Sequence, residues 1–199
     1  MLKLNAKELR TTIATEEQKK SIKKNPIYII LDNVLDTYNV GSIFRLADAV
    51  AAEKVFLCGE TLTPPNTRIK KASINTTEWV EWEYCKTAGE AIEKLKTCHS
   101  ERSEESSEVH KEDPSLPTAD QDDTIKVIAV ELDERSVPYD KVEYKFPLAI
   151  VVGNETYGVS KEVLEMADEI VELPMFGVNK SLNVMVSVGI ILYKLTEKL

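Results

Sequence analysis

"SLNVMVSVGIILYKL", residues 181–195, joins a Ser-Leu-Asn loop directly to the most apolar helical pattern in the chain. Short polar side chains suit a loop that binds something, yet from Val184 to Leu192 only Ser187 and Gly189 interrupt an apolar run. The run is far shorter than the roughly 20 apolar residues a bilayer span requires.

Upstream, IYIIL (27–31), KVFLCG (54–59), IKVIAVEL (125–132) and FPLAIVVG (146–153) are short continuous apolar runs. That is the pattern of strands buried on both faces. EWVEWEYC (78–85) alternates as a strand does, and EIVELP (169–174) supplies a last one. Between them, Val40, Ile43, Phe44, Ala47 and Ala51 mark one helical stripe over about residues 40–51, with Asn39 placed as its N-cap. TAGEAIEKLK (87–96) and SKEVLEMAD (160–168) predict two further helices, and residues 1–24 a polar, weakly amphipathic one ending in KKSIKK. Strands alternating with helices predict an α/β fold: a mostly parallel six-stranded sheet with helices on both faces. With 199 residues, one domain is the default.

The net charge of −9 argues against a nucleic-acid partner until it is located along the chain. Residues 100–123 hold nine acids against Arg102 and Lys111, a net of −7, and include Ser and Pro but almost nothing to bury. The composition predicts a disordered acidic insert. Residues 1–26 carry seven Lys or Arg against three Glu, a basic N-terminal extension that suits RNA as well as solvent. Cys58, Cys85 and Cys98 are odd in number and widely spaced, which excludes a disulfide framework and fits a reducing cytoplasm. The opening MLKLNAKELR lacks the apolar core of a secretory signal.

In an open parallel sheet, ligands sit at the carboxyl ends of the strands. Three turns place unusual residues there: NVGSIFR (39–45), VVGNETYGVSKE (151–162) and LPMFGVNKSLNV (173–184). Asn39 and Gly41 open a helix whose free N–H groups suit a phosphate. Arg45 lies about 140° from the apolar stripe, outside the core. Gly153 and Gly158 allow close backbone approach to a ligand. GxGxxG and GxxxxGK[ST] are both absent, which weighs against a Rossmann cofactor site and a P-loop.

In order and spacing, Asn39-x-Gly41-x-x-x-Arg45, Gly153-Asn154-Glu155-x-x-Gly158 and Leu173-Pro174-Met175 with Ser181-Leu182-Asn183-Val184 resemble the three motifs of the SpoU (TrmH-like) branch of the SPOUT methyltransferases. The likeness covers nearly all of residues 27–199. It implies S-adenosylmethionine-dependent methylation of a ribose 2′-hydroxyl in tRNA or rRNA, a homodimer and a C-terminal trefoil knot. It also implies that the Ser-Leu-Asn loop walls the cofactor pocket and that the apolar helix threads the knot and packs on the partner subunit. Backbone groups at Gly153, Leu173 and Leu182 would hold the cofactor's adenosine part. Catalytic roles would fall to Arg45, Asn39, Glu155, Ser181 and Asn183, with Arg45 on the ribose hydroxyl and its phosphate.

Methyl transfer from a sulfonium to a hydroxyl needs alignment and removal of a proton, and no metal. The resemblance makes Arg45 the acceptor of that proton. Because arginine titrates above about 12, a phosphate clamp that orients and polarises the hydroxyl is an equal alternative. His99 and His110 lie beside or inside the insert and are not expected to act. The chain departs from the family pattern at Met185, where a small Ser usually follows Asn-Val, and in its acidic insert. The lack of a separate N-terminal RNA-binding domain favours tRNA as substrate. A catalytically inactive RNA-binding or assembly protein on the same fold is the alternative. Another cofactor-dependent α/β enzyme ranks behind both.

Overall fold

Six consecutive residues, Ile27 to Asp32, are buried in strand β1 (Asn25–Asp32). The computed structural model that shows this describes residues 14–112 and 124–199, with residues 101–112 described by backbone alone. β1 lies inside a seven-stranded sheet of order β3-β2-β1-β6-β4-β7-β5. Its other strands are β2 (Ala52–Cys58), β3 (Trp82–Cys85), β4 (Lys126–Val130), β5 (Val137–Pro138), β6 (Leu148–Val152) and β7 (Glu169–Glu172). Every pairing is parallel.

Because side chains alternate along a strand, β1 feeds two cores. Ile27, Ile29 and Leu31 join the apolar faces of helices α2 (Thr37–Ala49), α3 (Thr67–Ser73) and α6 (Val184–Thr196). Tyr28 and Ile30 join those of α4 (Ala88–Glu112) and α5 (Lys161–Met166). Burial of a side chain such as Ile43 or Phe44, both wholly inaccessible, contributes about 1.5–3 kcal/mol. The expected layering of helices on both faces of a parallel sheet is therefore present.

Several expectations are corrected. The seventh strand, β5, is a two-residue edge pairing that contains a proline, too short to leave a pattern. The segment 78–85 is a strand only from Trp82, preceded by a 3-10 turn at Thr76–Glu78. Helix α2 begins one turn earlier than the apolar stripe, with Asp36 and not Asn39 as its N-cap, the Asp36 carboxylate accepting from the Tyr38 N–H. Asn39 is thereby freed for the interior. Gly41 does not open the helix to an anion. A Cβ there would lie 2.6 Å from both the Ala72 Cβ and the Ile69 carbonyl, so Gly41 is what lets α3 pack on α2. Of the N-terminal helix expected over 1–24, α1 (Glu16–Ser21) with its Thr15–Gln18 capping box is described. Residues 1–13 lie outside the described residues.

Residues 100–112 of the acidic stretch are not loop, because α4 continues through them to Glu112. The sequence there holds no Gly or Pro until Pro114, and Glu, Arg and Lys favour helix without needing burial. Residues 113–123 lie outside the described residues. Among the described side chains of α4, core contacts reach as far as Leu95 and the buried His99, whose ring stands edge-on to Tyr28 at 5.5 Å. Replacing residues 100–123 by a short Gly/Ser linker should therefore leave the melting temperature nearly unchanged. RNA affinity should stay equal or rise as a net charge of −7 is removed. Thermal scans and RNA titration of the deletion variant check both outcomes.

Candidate active site

Where β6 ends, the chain reverses through Gly153, whose α-carbon lies against the backbone of Gly158 so closely that a Cβ would collide with it. Asn154 and Gly158 exchange backbone hydrogen bonds of 3.0 and 2.9 Å across this turn. The Asn154 side-chain Oδ1 accepts from the Thr156 and Tyr157 N–H groups, and its Nδ2 donates to the Asn33 backbone carbonyl at 2.9 Å. A tight loop is thus pinned to the end of β1, with Glu155 at its tip.

The Glu155 carboxylate grips the start of α2. Oε2 accepts from the Leu35 N–H, and Oε1 from the Asp36 N–H, both at 3.1 Å. Oε1 also accepts from the Asn39 amide at 2.9 Å. Partial burial pushes the carboxyl upward, but the bonds from Asn39 and the two N–H groups outweigh it and hold Glu155 below the ordinary glutamate value. Asn39, itself buried, then accepts at Oδ1 from the Asn183 amide at 3.0 Å. Asn183 Oδ1 caps α6 by accepting from the Met185 N–H at 3.0 Å. The direction of this relay is set at both ends: a carboxylate can only accept and a backbone N–H can only donate. One residue from each of the three turns is thereby locked to the next.

Beside the relay lies a cavity of about 510 Å³ at the carboxyl ends of β4, β6 and β7. Gly153, Leu173 and Leu182 all line it, as do Glu155, Ser181 and Asn183. The volume falls within the roughly 300–1,000 Å³ of pockets that take cofactor-sized ligands. At Gly153 the space a side chain would need is taken by the backbone of Gly158 and Val159, so glycine there is required by the turn itself. Arg45 and Asn39 do not line the cavity. Asn39 reaches it through Asn183, whereas Arg45 is exposed on α2 and its guanidinium meets no carboxylate among the described residues. Ser181 is exposed and takes no part in the relay. Among the described residues no group of three or more His, Cys, Asp or Glu could hold a metal ion.

Two carboxylates were not singled out from the sequence. Glu131 lines the cavity and accepts from the Val159 N–H at 2.8 Å, holding the far side of the Gly153–Gly158 turn. Asp32, buried at the end of β1, accepts from the Ser160 N–H at 2.8 Å and so sets the start of α5. Ser160 stands at the N-cap of α5, though its own side chain caps nothing. The available signal was an acid ending a buried apolar run in both cases.

The model of the SpoU rRNA methylase family matches residues 26–119 and 102–193. The chain belongs to the SpoU rRNA methylase family. The two matched segments of this SpoU chain overlap over residues 102–119, inside the acidic stretch. The tRNA (guanosine(18)-2′-O)-methyltransferase of Aquifex aeolicus is 29% identical over 175 residues, covering 86% of this chain and 69% of that enzyme. Its counterpart in Escherichia coli K12 is 26% identical over 169 residues, covering 83% and 61%. The chain thus spans 61–69% of the length of these two curated relatives. An AdoMet-bound rRNA methyltransferase from Sinorhizobium meliloti superposes with a TM-score of 0.67 at 25% identity, covering 89% of this chain and 58% of that one.

Proposed function

We propose that this SpoU chain is an S-adenosylmethionine-dependent RNA methyltransferase that acts on a ribose 2′-hydroxyl of tRNA or rRNA in the cytoplasm. The observation that carries the reading is the junction of the 510 Å³ cavity with the Asn183–Asn39–Glu155 relay. It couples the pocket for a cofactor to the helix that presents Arg45. The active form is a homodimer with a C-terminal trefoil knot, residues 27–199 being the methyltransferase domain behind a basic extension at 1–26.

Gly153, Leu173 and Leu182 would hold the cofactor's adenosine part through their backbone, and Ser181 would close the wall beside it. When bound, the cofactor supplies a methyl group on a positively charged sulfur, which leaves as a neutral thioether. Arg45 would hold the phosphate next to the target ribose and polarise the 2′-hydroxyl, whose proton would pass to solvent water as the oxygen takes the methyl group. Glu155 and Asn39 fix the start of α2, and so the position of Arg45. The chemistry asks for no metal, because neither the nucleophile nor the leaving group requires one.

Dimer formation is supported by α6. Val188, Ile191, Leu192 and Leu195 are buried, yet Val186 and Tyr193 of the same helix are 39% and 58% exposed. That apolar face has no cover among the described residues. Sedimentation should give a stable homodimer at micromolar concentration, and titration should show S-adenosylhomocysteine binding without added metal. Labelled methyl groups should enter bulk tRNA or rRNA. RNA binding without incorporation into either pool would mark a binding protein and overturn the assignment.

A further inference from the structure

We propose that Leu35, Tyr38 and Tyr157 form a stacking platform for unpaired RNA bases beside the target ribose, with Arg45 and Arg68 holding the strand's phosphates. The inference rests on the RNA-methyltransferase reading above.

Leu35, Tyr38 and Tyr157 are 48%, 51% and 88% exposed, and none belongs to either core. They sit on two segments about 120 residues apart that Glu155 pins together through the Leu35 and Asp36 N–H groups. Tyr157 follows Glu155 by two positions, and Tyr38 follows Asp36 by two. Neither phenol hydroxyl has a hydrogen-bond partner among the described residues, so the fold makes no use of them. Exposed aromatic rings around a site that handles a nucleic acid suit splayed-out bases, which stack on them with little regard to sequence.

The charge on α2 points to the same ligand. Arg45 lies seven residues after Tyr38 on α2, about 20° away around the axis and about 10 Å along it, so both occupy one exposed stripe. α3 packs against this helix at Gly41, which adjoins that stripe. On α3, Lys70 turns to Glu78 at 3.2 Å, while Arg68 leaves the helix on the opposite flank. Arg68 and Arg45 meet no carboxylate among the described residues, in a chain with 34 acids against 25 bases. An uncompensated Arg45 fork on the stripe that carries Tyr38 suits a single strand, with a phosphate on the fork and bases on the rings, and Arg68, one residue before the Ile69 that packs on Gly41, adds a second positive charge from the neighbouring helix.

The test uses the full-length protein and two probes, a short unstructured oligoribonucleotide and bulk tRNA. Tyr38→Ala and Tyr157→Ala should each weaken RNA binding at least about fivefold. Affinity for S-adenosylhomocysteine and oligomeric state should stay as in the wild type. Tyr38→Phe and Tyr157→Phe should restore binding, since the ring does the stacking. Arg68→Gln should lower the slope of log affinity against log salt by about 0.7, the loss of one phosphate contact to a single strand. Alanine variants that bind both probes within twofold of the wild type overturn the platform, and if the wild type still transfers methyl groups, the enzymatic reading survives. Alanine variants that fall apart to monomers show a subunit interface instead and also overturn it. A wild-type protein that binds neither RNA overturns the platform and the enzymatic reading together.

Discussion

Arg45→Ala should lower single-turnover methyl transfer to RNA by at least about a hundredfold, the usual loss when one charge-stabilising donor is removed from a transition state. Affinity for S-adenosylhomocysteine should change by less than about threefold, because Arg45 lies outside the cavity lined by Gly153, Leu173 and Leu182. The fold should survive: Arg45 is exposed, so its removal opens no core cavity of the kind that destabilises by several kcal/mol. Arg45→Lys should rescue little. Lysine keeps the charge but loses the planar fork that can grip a phosphate and a hydroxyl together. Transfer within tenfold of the wild type for the alanine variant would make Arg45 a bystander. Loss of cofactor binding would instead show that the cavity is not the cofactor's slot.

The parts of the site that were legible in the sequence are those where a residue type answers a backbone need. Gly153 is required by the contact with Gly158, Glu155 by the N–H groups it must satisfy, and Asn183 by the end of α6 that it caps. Elements that leave no periodic trace were not legible. α3 buries only Ile69 and Ser73 over seven residues, so no stripe marks it. The first turn of α2, Thr37-Tyr38-Asn39, precedes its apolar stripe, which shifted the expected cap from Asp36 to Asn39. The acidic stretch was read for what it could bury, and helix propensity, which needs no burial, extends α4 into it. Glu131 and Asp32 end buried strands as carboxylates, and only the fold shows that each meets an N–H from the other side of the sheet's end.

The consequences of that tight polar wiring are largest at Glu155. Glu155→Gln keeps the shape but replaces one accepting oxygen with an NH2 group. Both oxygens currently accept N–H donors from Leu35, Asp36 and Asn39, so in either orientation the variant sets a donor against a donor. Rotating Asn39 to compensate would turn its NH2 on the Asn183 amide and reverse a relay whose far end is fixed by the Met185 N–H. Because Glu155 is solvent-exposed, the stability loss should be small, on the order of 1 kcal/mol. The loss in transfer should be larger, at least about tenfold and up to a hundredfold, because the start of α2 and with it Arg45 loses its anchor. The pH dependence separates this account from a general weakening. The folded-state carboxyl of Glu155 is held below the ordinary glutamate value, so its contribution is fully present above that value and is lost as pH falls through the lowered one. On acidification the wild type should lose this increment of thermal stability, and Glu155→Gln, which has no proton to take up there, should not. Identical acid profiles for the two proteins, or wild-type transfer by the variant, would show that the carboxylate does not hold α2 in place.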